Sequence, residues 1–284
     1  MLWVPSGANA YNWSSGSHVS TRPAAAFGAT VTPGNNAFGS WVQLMNSAAV
    51  ARDVFAILIN VNSIAVSATA KDALVDIGVD PAGGTSYSTV IPELLASCAS
   101  PYNVGAGGIW YLFPLWIRAG SSIAARASVN NATVGTARVN CRVFGSPRDQ
   151  RLIKVGTRVE AIGTNTAASA GTSITSGTTS DGSWTSLGST SRDAWWWQLG
   201  MGVNDTTMTA RAYHADVAVG NASNKDIVIE NAMIATTSSE QLNNAPLTFD
   251  SGKIAPAGTS VYGRLQCSGT ADASLSMAAY ALGG

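Results

Sequence analysis

The stretch "SRDAWWWQLGMGVND", residues 191–205, carries three consecutive tryptophans followed by alternating large and small residues. Successive side chains of a β-strand point to opposite faces. A strand here directs Trp195 and Trp197 to one face and Trp196 to the other. The large apolar residues continue at every second place to Met201, which is typical of a strand with one buried face. The stretch therefore predicts a β-strand with Trp195 and Trp197 in the core.

A second copy of the same pattern lies earlier in the chain. Phe55, Ile57 and Ile59 take the places of Trp195, Trp197 and Leu199 when the two copies are aligned, and "GSW" occurs in both copies. Self-similarity in a constant order indicates an internal repeat. The aligned segments are 52–79 with 192–219, 117–145 with 255–283, and the "GSW" tripeptides 39–41 with 182–184.

The repeated unit has the period of β-structure. In "ARVNCRVF", residues 137–144, apolar and polar residues alternate, and Gly, Pro, Asn and Ser clusters interrupt the chain every few residues. We predict an all-β fold of two tandem antiparallel β-sandwich, jelly-roll-like modules that arose by internal duplication. The predicted domains are an extended N-terminal arm at 1–18 and modules at 19–147 and 148–284. The apolar stretch 90–98 also fits a short helix.

The alignment of the two copies indicates a different role for Trp196 from that of Trp195 and Trp197. Trp196 aligns with Ala56 and Gln198 with Leu58, so this face of the strand is mixed in character. Packing of Trp196 against the other module or another subunit is the favoured interpretation. Stacking on a ligand and simple exposure remain the alternatives.

The composition limits the classes of partner. Only 11% of the 284 residues are charged and the formal net charge is zero, against about 25% charged residues in an average soluble protein. Nothing in this balance favours nucleic acid or an anionic membrane. A surface with few charges is poorly protected against self-association, so we expect a homo-oligomer. No signal peptide or apolar run of membrane-spanning length is recognisable.

No catalytic or metal-binding pattern stands out. The two histidines, His18 and His214, have no nucleophile or acid at a recognisable spacing, and the three cysteines are far apart. We therefore expect no cofactor and no metal, interpret the cysteines as buried small residues, and predict that the chain is not an enzyme. A pair of carboxylates in a cleft, as in a polysaccharide depolymerase, is the alternative that the sequence leaves open.

Two charged residues occur in both copies. Asp76 and Asp216 lie within predicted strands, and Arg126 and Arg264 follow the "AG[ST]S" turns. We predict that each acid and base form a cross-strand ion pair or fix a turn. Such a pair contributes more to strand register or partner choice than to stability, since an exposed ion pair contributes only about 0–1 kcal/mol.

The first copy resembles a sequence pattern of structural proteins from tailed bacteriophages. That pattern has a "DIGVG"-like strand, an "IPNLL"-like segment and an "FPLxIPAGSxIxxR" run, and this chain departs from it at Arg118. The resemblance implies a β-rich, oligomeric component of the virion, in the head or the tail. The matching residues are Asp76, Ile77, Gly78, Val79, Ile91, Pro92, Leu94, Phe113, Pro114, Leu115, Ala119, Gly120, Ser121, Ile123 and Arg126.

These observations lead to a functional hypothesis with one main rival. The chain is expected to be a virion structural protein, assembled in the host cytoplasm, that contacts capsid or tail subunits through Trp196 and the arm residues Trp3, Tyr11 and Trp13. The arm instead folding back on its own module is the alternative. The rival hypothesis is a receptor- or carbohydrate-binding tail protein, which requires exposed aromatic residues. The candidates for that surface are Trp110, Tyr111, Trp116 and Trp196.

Overall fold

Every regular element of the computed structural model is a β-strand within the residues that it describes, which are 28–62, 71–98, 109–129, 136–145, 155–165, 170–203, 211–236, 248–269 and 275–283. No helix long and apolar enough to cross a membrane occurs in these ranges. The strands are β1 (Ala29–Val31), β2 (Gly34–Asn35), β3 (Val42–Met45), β4 (Val54–Asn62), β5 (Lys71–Asp80), β6 (Ser88–Cys98), β7 (Ile109–Phe113), β8 (Ser122–Val129), β9 (Ala137–Gly145), β10 (Arg158–Ile162), β11 (Thr164–Asn165), β12 (Ala170–Ile174), β13 (Ser176–Gly177), β14 (Thr185–Ser189), β15 (Ala194–Val203), β16 (Arg211–Gly220), β17 (Lys225–Thr236), β18 (Thr248–Ala255), β19 (Ser260–Cys267) and β20 (Leu275–Gly283).

The first nine strands form two sheets that face each other. One sheet has the order β1-β9-β4-β7, and the other has the order β2-β8-β5-β6 with β3 also paired to β8. Strand β9 shows the predicted alternation, since Ala137, Val139, Cys141 and Val143 are buried and the residues between them are half-buried. This is the pattern of a sheet with one face on a core.

The last eleven strands repeat that arrangement. Their sheets have the orders β11-β12-β20-β15-β18, with β10 also on β20, and β13-β19-β16-β17, with β14 on β19. The all-β, sandwich-type fold is therefore confirmed. The prediction that all pairs are antiparallel is wrong for β2 with β8 and for β13 with β19, which are short parallel pairs. The predicted domain boundaries lie outside the described residues.

Residues 90–98, for which a short helix was an alternative, belong to strand β6. This strand pairs antiparallel with β5 and contains a bulge opposite Asp76, where Glu93 has a φ of 52°. The apolar residues do not alternate here because both faces of the strand are covered. Leu94 and Leu95 are adjacent in sequence, and neither is exposed.

The tryptophan stretch is a strand, but its alternation is interrupted. The pairing of β15 with β20 shifts between Ala194 and Trp196, which leaves Trp195 as the extra residue of a β-bulge. Trp197, Leu199 and Met201 lie in the core of the second sandwich as predicted. Trp195 is buried as predicted, but not on the face of Trp197: with Trp196 it belongs to the apolar cluster of the first sandwich. The one extra residue of the bulge reverses the face on which its side chain lies.

Candidate functional site

Each sandwich contains an equivalent cross-strand ion pair, in which the carboxylate is buried and the arginine is partly accessible. Asp76 and Arg126 are directly opposed on β5 and β8, with 2.9 Å and 2.8 Å from Asp76 Oδ2 to the arginine Nε and Nη2. Asp216 and Arg264 repeat this on β16 and β19, with distances of 2.8 Å and 2.7 Å. The structure thus brings the four charged residues singled out in the sequence together as two cross-strand pairs.

An aromatic ring completes each pair. The guanidinium carbon of Arg126 lies 4.5 Å from the ring centroid of Trp41 and 4.6 Å from that of Phe38. Arg264 lies 4.4 Å from the ring of Trp184. The two tryptophans come from the repeated "GSW" tripeptides. Each arginine is therefore fixed by a carboxylate and by cation–π contact, and Arg264 also pairs with Asp181 at 2.7 Å.

The carboxylates also fix the neighbouring edge strand. Asp76 Oδ1 accepts the backbone N–H of Glu93 at 2.9 Å, and Asp216 Oδ1 accepts that of Asn231 at 2.6 Å. Both donors have positive φ, 52° and 49°, a conformation that is uncommon for residues other than glycine. The Asp–Arg–Trp cluster thus holds a bulge in place, and its chemistry is that of a structural clamp. The carboxylate oxygens are occupied by donors.

A second feature joins the two sandwiches, and Tyr280 is at its centre. The Tyr280 hydroxyl accepts the backbone N–H of Leu95 at 2.5 Å and donates to the carbonyl of Glu93 at 2.8 Å. Its ring stands nearly perpendicular to those of Tyr111 and Phe113, at centroid distances of 5.4 Å and 6.2 Å. A side chain of the second sandwich is therefore inserted at the edge of the first.

Burial dominates the electrostatics at this contact. The Tyr111 hydroxyl donates to the carbonyl of Leu95, and both tyrosine rings are completely buried. Desolvation raises the pKa of Tyr111 well above its usual value, with the nearby Tyr280 contributing in the same direction. Desolvation likewise raises the pKa of Tyr280. Both hydroxyls are thus neutral donors over the whole physiological pH range.

Polar contacts surround the tyrosines on both sides. The Gln198 side chain accepts the N–H of Leu112 at 3.0 Å and donates to the carbonyl of Trp110 at 3.2 Å, which satisfies the free edge of β7. The Thr164 hydroxyl donates to the carboxylate of Glu93. These bonds, together with the tyrosines and Trp196, define what we call the internal interface.

One glycine shows how closely the sandwiches approach. A Cβ added to Gly202 on β15 would lie 2.5 Å from both carboxylate oxygens of Asp72 on β5. Real Cβ atoms essentially never show such a distance, so a larger residue at 202 requires the Asp72 side chain or the strands around it to shift. The internal interface is therefore closely packed.

Of the four predicted partner-binding residues, the structure describes only Trp196. Trp196 is only 7% exposed and packs into the apolar cluster of the first sandwich, so its neighbour is the chain's own other half. Trp3, Tyr11 and Trp13 lie outside the described residues.

The side chains of two cysteines, Cys141 and Cys267, are described, and both are buried and free. Burial raises the pKa of Cys141 to about 12.

Sequence reasoning missed Tyr280, Gln198 and Tyr111 as interface residues. One signal was present in "LSMAAYAL", where Tyr280 lies between the core positions Ala279 and Ala281. A large aromatic residue on the outward phase of a strand indicates a second packed surface. Arg142 at the equivalent place in the first copy shows that the sandwich fold itself does not require the tyrosine.

No family model and no curated protein sequence matches the chain. Among solved structures, it is similar to PNGF-II (11% identity, TM-score 0.36, covering 90% of this chain) and spans 65% of the length of that protein. It is also similar to PNGase F, a glycosylasparaginase from Flavobacterium meningosepticum (10% identity, TM-score 0.35, covering 89% of this chain and 95% of that one). A third is the STIV MCP, a viral capsid protein (9% identity, TM-score 0.33, covering 89% and 93%).

These matches contradict the prediction that the chain is not an enzyme. That prediction rested on the absence of a recognisable catalytic motif, and PNGase F is an enzyme. Excluding enzymes on this ground was wrong, because paired acidic residues on a β scaffold leave no fixed spacing in a sequence. At 9–11% identity the likeness concerns the β fold, and it assigns no activity and no substrate to this chain.

Proposed function

We propose that the protein is a structural component of a tailed-phage particle, in the head or the tail, which stabilises or decorates that particle through contacts between subunits. The observation that carries this proposal is that aromatic residues considered for a sugar-binding surface are buried, in packing between the chain's own two sandwiches. Tyr111 is completely buried, and Trp196 is 7% exposed against the other sandwich. A sugar-binding surface needs such rings to be accessible, whereas an assembly protein uses them as anchors.

The residues that carry the phage resemblance support the same proposal. Asp76 and Arg126 form the structural clamp of the first sandwich. Gly120 has a φ of 79° in the turn before β8, and the N–H of Ala119 in that turn donates to Asp53 at 2.8 Å. The motif thus specifies how a sandwich is built. Together with the low content of charged residues, this favours a building unit of a larger assembly.

A receptor- or carbohydrate-binding tail protein is the second candidate. Trp116 favours it, since this residue is 41% exposed. It is the one exposed side chain of the four aromatic residues considered for such a surface, because Trp110 is half-buried and the other two are buried. A single ring gives a weak platform for a sugar, since stacking on several rings or added polar contacts usually provides the specificity.

Rebinding to particles tests the proposal. Phage particles stripped of this protein are incubated with the intact chain, with a chain lacking residues 1–18, and with a Trp3→Ala, Tyr11→Ala, Trp13→Ala variant. We expect the intact chain to bind particles and both arm variants to bind weakly. Trp116→Ala is the matched control and should rebind normally. Failure of the intact chain to bind particles, together with Trp116-dependent binding to host cells or glycans, would overturn the proposal in favour of the second candidate.

A further inference from the structure

The two sandwiches present equivalent faces in different surroundings. On β5 and β6, Leu74 and Leu95 form an outward pair that the second sandwich covers completely. The register of β16 with β17 places His214 opposite Met233 at the same two positions. Both of these residues are exposed, Met233 to 58%. We call the surface of His214, Ile227 and Met233 the β17 face.

Ile227 extends this exposed apolar surface along the strand. It is 39% exposed and lies on β17, as Met233 does. Only four large apolar side chains are exposed among the residues that the structure describes, and two of them are on this strand. In the first sandwich the place of Met233 is taken by Leu95, which is buried at the internal interface, and the place of Ile227 by the half-buried Thr89. The β17 face is therefore built like a surface that receives a partner.

The covering surface also has an equivalent in the other half. Gln198, Tyr280 and Leu282 cover the first sandwich from β15 and β20. Their counterparts on β4 and β9 are Leu58, Arg142 and Phe144, aligned through the repeat. These three counterparts are half-buried. We call them the β9 face.

We propose that the β17 face of one copy of the chain binds the β9 face of a second copy, in the arrangement that the internal interface already uses within one chain. This interaction would be the subunit contact of the proposed function, on which it rests. Charge supports the pairing. Glu230 is exposed on β17, and Lys225, the cation of this strand, lies at its far end over the ring of Tyr262. Strand β9 carries Arg138 and Arg142 on its outward side. Opposite charges at the two faces favour this pairing over contact of two β17 faces.

The two faces are different surfaces, so the contact is head-to-tail. A head-to-tail contact produces a closed ring when the rotation between copies closes, and an open chain when it does not. In either case each copy uses both of its faces, and the terminal faces of an incomplete assembly remain able to bind. This property gives the proposal a sharp test.

The test uses the purified full-length chain, with its mass measured by light scattering and sedimentation over a wide concentration range. We expect the unaltered protein to associate, and Met233→Glu and Arg142→Glu each to weaken association by about tenfold or more, equivalent to about 1.4 kcal/mol. Ile254→Glu is the matched control, because Ile254 is 61% exposed on β18, outside both faces, and it should associate normally. Circular dichroism verifies folding, and Leu58→Glu replaces Arg142→Glu if the latter is unfolded.

Mixing the two variants decides between geometries. Met233→Glu keeps an intact β9 face and Arg142→Glu an intact β17 face, so the mixture should form a one-to-one dimer and nothing larger. The proposal is overturned if the unaltered protein is monomeric at every concentration, or if Ile254→Glu also abolishes association. It is equally overturned if either variant associates as tightly as the unaltered protein, or if the mixture forms no dimer or a larger assembly. A monomeric protein that still rebinds phage particles would overturn this inference alone. A self-associating protein that ignores particles would overturn the proposed function alone.

Discussion

The outward faces of β5–β6 and β16–β17 have the same backbone and different environments. Each is fixed by an Asp–Arg–Trp clamp and by a bulge with a positive φ, at Glu93 and Asn231. Leu95 in the first is completely buried, and Met233 in the second is 58% exposed. The clamp therefore specifies the strand arrangement, while the neighbouring sandwich decides whether the face is interior or surface.

The largest expected effect comes from removing the side chain that creates this difference. Tyr280→Ala deletes a fully buried ring and leaves the Leu95 N–H without its acceptor. We expect the free energy of unfolding to fall by about 3–5 kcal/mol, as for other large-to-small core changes. Chemical denaturation monitored by tryptophan fluorescence and circular dichroism measures it. A loss below about 1 kcal/mol would show that the internal interface contributes little.

Equivalent residues on the two faces should respond differently to the same truncation. Leu95→Ala removes a buried side chain and should cost about 2–5 kcal/mol. Met233→Ala at the equivalent position should change the stability of the monomer by no more than about 0.5 kcal/mol, because the residue is largely exposed. Urea titrations at a concentration where the protein is monomeric give both values. Equal losses would contradict the distinction between a covered and an open face.

The duplication made much of this fold predictable. The aligned segments imply equal sheet orders in the two halves, and alternation in β9 identifies its core residues, because a residue period of two is a local property of strands. The joint presence of Asp76 with Arg126 and of Asp216 with Arg264 indicated a pair in each copy. The aromatic partner, Trp41 or Trp184, was visible in the repeated "GSW" but was not connected to the arginine, since strand order is needed to bring them together.

The internal interface could not be predicted from the sequence, for a physical reason. Leu95 and Met233 are both apolar, and only the position of the other sandwich makes one buried and the other exposed. The bulge at Trp195 is a second case, since alternation predicts the face of a residue only while the register is unbroken. Strand β6 is the third, because a strand covered on both faces loses the alternation by which a strand is recognised.

The Asp–Arg–Trp clamp is present in both sandwiches, so its loss should lower the unfolding free energy by a similar amount in each. Arg126→Met and Arg264→Met each leave a buried carboxylate without its guanidinium while most of the apolar stem stays in place. We expect each change to cost about 1–3 kcal/mol, a value that allows for the partial exposure of the arginines, whose side chains are 30% and 22% accessible. Denaturation of both variants measures the losses, which should agree within about 1 kcal/mol. A loss confined to one variant would show that the clamp supports only one half.

The smallest expected effect is a change of slope with pH. Because burial raises the pKa of Tyr280 in the folded state, the folded protein keeps a proton that the unfolded chain releases above about pH 10. The stabilisation is fully present below that pH and declines as the pH rises, by up to about 1.4 kcal/mol per pH unit for one group.

Tyr280→Phe should therefore flatten the decline of unfolding free energy between about pH 10 and pH 11.5. Met233→Ala removes no ionisable group and should leave that decline unchanged. The buried Cys141 contributes equally to all three proteins, and Tyr111 keeps the desolvation that is the main cause of its raised pKa, so the main difference in slope belongs to Tyr280. An unaltered slope in Tyr280→Phe would mean that this hydroxyl reaches water in the folded protein, and the internal interface would then be open at its centre.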